Sequence, residues 1–165
     1  MTTSSGSGSS IQDRYFADAP CFGCGPGNAK GLQLKSFDAL DGAVRAAFQP
    51  WPEHDNGLGF LNGGIIATLL DCHSAAAVVL ASAERGLTPD GTLHYVTAGI
   101  DVRYRRPSPL REPAELVARP VSADENEILV DAELWWQGKV RASARSSWKR
   151  WRPRTGATAP PLVHG

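Results

Sequence analysis

The sequence predicts an α+β fold in which an antiparallel sheet of five or six strands wraps around one long central helix. Three observations predict it. Residues 62–85 are apolar nearly all round, through Ile65, Ile66, Leu69, Leu70, Val78, Val79 and Leu80, which is the pattern of a helix buried on most of its surface. Alternating apolar and polar stretches precede and follow it, as in strands with one face to cover. The order is a hairpin, then the helix, then about four strands in succession.

Composition narrows the classes of protein. A chain of 165 residues suits one domain and is short for two. Its 17 Lys and Arg balance 17 Asp and Glu, which argues against a nucleic-acid protein running on bulk charge. The three cysteines are few and odd in number, and no secretory apolar segment lies near Met1, so a reduced cytoplasm is expected. Asp71 and His73 interrupt the only apolar run that approaches membrane length, so no membrane span is expected.

In chain order, residues 1–10 are Ser-, Gly- and Thr-rich and read as a disordered arm, as do residues 153–165, leaving a domain at 11–152. Cys21-Phe22-Gly23-Cys24-Gly25 follows. A CxxC can be half a zinc site, but the other half is missing, since Cys72 lies on the helix and no second CxxC exists. The preferred reading is a Gly-rich turn before the first strand, with no metal. Leu32, Leu34 and Phe37 alternate with polar residues, as do Val44, Ala46 and Phe48, and Asp41-Gly42 between them makes a hairpin turn. A polar, Gly-rich loop at 53–61 leads into the helix, and Gly86 and Pro89 end it. Residues 92–106, 114–122, 128–136 and 140–148 read as strands, the last of them a meander of hairpins turning at Gln137-Gly138.

Asp71 needs a reason. An ionised carboxylate on a buried helix is costly unless it is paired, hydrogen-bonded or used. The plain alternative is a carboxylate on the one wet stripe of the helix. The chemical one is a base or nucleophile where a substrate reaches the helix. Gly63 and Gly64 at the helix start would let a substrate carbonyl approach backbone N–H groups that the helix dipole makes good donors.

The stretch from Asn56 through Gly59, Gly63, Gly64, Ala67, Thr68 and Leu69 to Asp71 resembles the acyl-CoA thioesterases of the hotdog superfamily, in particular the PaaI-like branch of phenylacetate degradation. Cys21 to Leu34, and the strand ending Tyr104-Arg105-Arg106-Pro107, resemble further segments of that family. The resemblance implies a hotdog fold and a dimer with sites at the subunit interface. It implies Asp71 as general base or nucleophile, Asn56 as the residue that orients the water or the thioester oxygen, the Gly63 N–H as oxyanion donor, and Thr97 as a holder of the water. Asn62 replaces the family's usual His; its amide can still donate a hydrogen bond but cannot shuttle a proton. Gly59 and Gly64 are candidate substrate contacts, and Arg105 and Arg106 are candidates for the phosphates of coenzyme A.

From Gly63 to Asp71 is a little over two turns, or about 12 Å along one helix. A two-fold dimer solves this, because a partner helix can bring its Asp71 to this Gly63. The reading is an acyl-CoA thioesterase that needs no cofactor beyond the coenzyme A of its substrate, acting on a small or medium acyl or aroyl thioester as a homodimer or dimer of dimers. An acyl-carrier protein is the alternative thioester carrier. A non-catalytic acyl-thioester binding module and a hotdog dehydratase or lyase are the rival readings.

Overall fold

The computed structural model describes residues 8–152; the parts of the arm and tail at 1–7 and 153–165 lie outside the described residues. The elements are α1 (Ile11–Tyr15), β1 (Ser36–Asp38), β2 (Val44–Phe48), a 3-10 turn (Pro52–His54), α2 (Gly63–Glu84), β3 (Tyr95–Tyr104), β4 (Ala114–Ala123), β5 (Glu127–Trp136) and β6 (Lys139–Arg150). The strands form one antiparallel sheet in the order β1-β2-β4-β5-β6-β3. This is the hotdog arrangement of six strands around one helix.

The central helix starts and stops where its end residues dictate. The Asn62 side-chain oxygen accepts from the N–H groups of Gly64 (2.8 Å) and Ile65 (3.4 Å), satisfying two of the donors that a helix start leaves free. Gly86 then takes a φ of +83°, which suits glycine and ends the helix. Leu69, Leu70, Ala77 and Val78 are fully buried against the sheet's inner face, where Leu116, Ile128, Val130 and Leu134 are equally buried. By length and composition α2 is also apolar enough to cross a membrane, but it is the buried core of this sheet.

The last three strands form the expected meander, and Gln137 and Gly138, with φ of +49° and +67°, make the tight turn between β5 and β6. β3 departs from it. It pairs with β6 at the sheet edge rather than with β4, which follows it in sequence, because β4 takes the place beside β2.

Two further expectations are corrected at the N-terminal side. Leu32 and Leu34 are buried as an alternating strand requires, but they are not in a strand. Gln33 between them has a φ of +56°, and the N–H groups of Leu32 and Leu34 donate to the carbonyls of Phe22 (2.7 Å) and Gly23 (3.1 Å). The segment is thus bonded to the CxxC loop, and β1 begins only at Ser36. Ser10, placed in the arm by its composition, is buried and caps α1 by accepting from the Asp13 N–H.

His73 is fully buried on α2. Its Nε2 donates to the Val44 carbonyl (3.0 Å), and its Nδ1 accepts from the Ser36 hydroxyl (2.9 Å). Burial pushes its pKa down to about 4, so the ring is neutral near pH 7 and pins β1 and β2 to the helix. His54 is also buried, stacked on Phe48 and packed against Trp51.

Candidate active site

Asp71 projects from the middle of α2 into a cleft of about 590 Å³ between the helix, β3 and the N-terminal segment. That volume lies in the range of small-molecule sites. Its apolar walls include Phe16, Ala75, Val79, Leu93, Val96 and Trp148. Thr97 comes from β3, and its hydroxyl donates to an Asp71 carboxylate oxygen at 2.9 Å. The pairing of β3 with β6 slips between Thr97 and Gly99, a bulge beside the site, and Val96 and Thr97 both line the cleft. Burial raises the pKa of Asp71 above the ordinary carboxylate range. The Thr97 hydrogen bond opposes that rise, and negative charge on Cys21 adds to it.

The helix start carries the second group of expected residues. The N–H of Gly63 has no hydrogen-bond partner among the described residues, whereas that of Gly64 is taken by the Asn62 cap. Asn62 therefore spends its side-chain oxygen on the helix, leaving only its NH₂ group to face a ligand. Asn56 and Gly59 lie in the loop just before, which the bridge between Asp55 and Leu61 closes. The Asn56 side-chain oxygen accepts from the N–H groups of Leu58 (2.8 Å) and Phe60 (3.3 Å), and Gly59, at a φ of +83°, donates to Asp55. Both residues shape this loop. Arg105 and Arg106 lie exposed beyond the end of β3, so strand alternation does not separate them; both backbone N–H groups donate to the Arg141 carbonyl.

Within one chain, then, Asp71 and Thr97 are together, while Asn56, Gly59, Asn62, Gly63 and Gly64 gather two helical turns away. Sequence reasoning missed Tyr104. Its hydroxyl donates to the Gly63 carbonyl (2.7 Å), and its ring lies where a Cβ on Gly63 would be in contact at 3.4 Å. The buried Trp148 side chain of β6 also lies on the cleft wall. The separation of Cys72 from the CxxC is corrected as well. Folding brings the Sγ atoms of Cys21, Cys24 and Cys72 within 4.8 Å of one another at the same cleft.

A six-stranded antiparallel sheet wrapped around one helix, with a carboxylate facing an apolar cleft, is the hotdog fold. The family model of the thioesterase superfamily matches residues 58–142, just over half of the chain, and the chain belongs to that superfamily. Among solved structures, a thioesterase superfamily protein is similar at 26% identity and a TM-score of 0.62, over 76% of this chain and 57% of the other. This chain therefore spans little more than half of that protein. A thioesterase superfamily protein from Shewanella loihica PV-4 is similar at 27% identity and a TM-score of 0.59, over 77% of this chain and 98% of the other. The PaaI protein of the phenylacetic acid degradation operon of E. coli shares the fold at 19% identity and a TM-score of 0.62, over 75% of this chain and 83% of its own. No curated protein sequence matches the chain.

Proposed function

We propose that the protein is an acyl-CoA thioesterase that cleaves a small or medium acyl or aroyl thioester to the free acid and coenzyme A. The observation that carries this reading is Asp71, a carboxylate of raised pKa held by Thr97 at an apolar cleft. Desolvation that raises a carboxylate's pKa makes it a stronger base, and the apolar walls suit an acyl or aryl group.

In this mechanism Asp71 takes a proton from a water whose oxygen attacks the thioester carbonyl carbon. Thr97 fixes the orientation of the carboxylate. The carbonyl oxygen becomes an oxyanion and receives the Gly63 N–H of a second protomer. The carbon–sulfur bond then breaks, and the coenzyme A thiolate leaves and takes up a proton. Asn62 and Asn56 of that same second protomer offer side-chain NH₂ groups near the oxyanion, and Arg105 and Arg106 offer exposed cations to the coenzyme phosphates. The working unit is a homodimer, or a dimer of dimers, in a reducing cytoplasm that keeps the thiols free. An acyl-carrier protein is the alternative carrier of the thioester.

The test is free-thiol release from a panel of acyl-CoAs by wild type and Asp71→Asn. Wild type is expected to release thiol, and the variant to be slower by about 10²- to 10⁴-fold while still binding coenzyme A. Equal rates would remove Asp71 from the mechanism. Coenzyme A binding without release from any thioester would instead mark a binding module.

A further inference from the structure

The three cysteines meet at one point although they come from two elements far apart in sequence. Cys21 and Cys24 belong to the loop after α1, and Cys72 follows Asp71 on α2. All three Sγ atoms lie within 4.8 Å of one another, and those of Cys21 and Cys72 are 3.7 Å apart. Zinc–thiolate bonds of about 2.3 Å in a tetrahedron place neighbouring sulfurs about 3.8 Å apart. That spacing is far from the roughly 2.05 Å of a disulfide.

The loop is built for this approach. A side chain on Gly23 would overlap the Cys72 sulfur, so only glycine lets the loop lie against the helix there. The Gly25 N–H donates to the Cys21 carbonyl (2.9 Å) and closes the turn. The bonds from Leu32 and Leu34 to Phe22 and Gly23 hold the loop from its other side.

We propose that Cys21, Cys24 and Cys72 bind one thiophilic divalent ion of the zinc type, with its fourth coordination position facing the cleft that Asp71 lines. Three thiolates are a soft donor set that selects such a metal over magnesium or calcium. All three cysteines line the cleft, so water or a ligand group completes the tetrahedron from that side. Ion uptake releases the remaining thiol protons to solvent. Bound there, the ion joins the N-terminal segment to α2 and fixes one wall of the cleft. The site stands independently of the thioesterase reading.

The test uses the full chain, reduced with a phosphine and free of chelator, titrated with Co²⁺. A thiolate-to-cobalt charge-transfer band with tetrahedral d–d bands is expected to saturate at one equivalent, and Zn²⁺ should displace it. Cys21→Ser and Cys24→Ser should each lose the band or bind at least tenfold more weakly, whereas Asp71→Asn should keep it. Because Cys72 is in the core and its Ser variant can fail to fold, the two loop variants carry the test, with folding checked by circular dichroism. Zn²⁺ should also raise the melting temperature of wild type by several degrees and leave that of Cys21→Ser unchanged. No charge-transfer band in wild type, or an unchanged band in both loop variants, would overturn the proposal.

Discussion

At the scale of single residues, the contact between Thr97 and Asp71 is the most informative one in the cleft. The hydroxyl donates to a carboxylate that burial has already made less willing to ionise. Such a bond to a charged group contributes roughly 1.5–3 kcal/mol, and it also fixes the orientation of the carboxylate in the cleft. Thr97→Val keeps the shape and removes the donor. It should slow thiol release by about tenfold to a hundredfold, while Thr97→Ser, which retains the hydroxyl, should stay close to wild type. A Thr97→Val enzyme at full rate would show that Asp71 works without this positioning. Asp71 was legible in the sequence because a carboxylate on an otherwise apolar helix has to be explained. Tyr104 and the Cys21–Cys24–Cys72 cluster were not. No spacing ties position 104 to 63 or 72 to 21; the pairs form only when β3 and the CxxC loop pack against α2.

Among the elements, α2 was the most fully legible, because its apolar pattern and both of its end signals lie within one continuous stretch. The first hairpin was legible only in part. Its apolar alternation shows that Leu32 and Leu34 are buried, but not that Gln33 turns left-handed and sends their N–H groups to the CxxC loop. Strand order was equally hidden, since alternation marks a strand and not which strand lies beside it, and the bulge between Thr97 and Gly99 that breaks the parity of β3 left no mark in the pattern. The start of α2 carries its own prediction. Asn62 caps the helix with its oxygen, so Asn62→Ala should lower unfolding stability by about 1 kcal/mol in urea titration, and Asn62→Ser should recover most of it. Full stability in Asn62→Ala would show that water satisfies those donors equally well. Asn62→His trades the same cap for a titratable ring, so its effects on stability and rate have to be measured together.

For the whole molecule, the sheet has two unequal edges. β1 at one end has only three residues, too short to template another strand, whereas β3 at the other runs for 10 residues and is exposed along most of its length. Ile100 is 37% exposed and Tyr104 is 56% exposed; opposite Ser146 and Ala142, they share one face and make an apolar row on a long unpaired edge. A long edge of this kind is ordinarily covered, and a second copy pairing β3 with β3 would cover it symmetrically. The same pairing would address the separation along α2, where Gly63 and Asp71 of one chain stand about 12 Å apart and cannot serve one carbonyl. Ile100→Glu puts a charge into that row without touching Asp71, Thr97 or the helix start. Wild type is expected to sediment as a dimer or a multiple of one. Ile100→Glu should sediment as a folded monomer and lose thiol release together with its partner. A monomeric variant that hydrolyses acyl-CoA at the wild-type rate would place the whole site within one chain, and the oxyanion donor would then have to be sought nearer to Asp71 than Gly63.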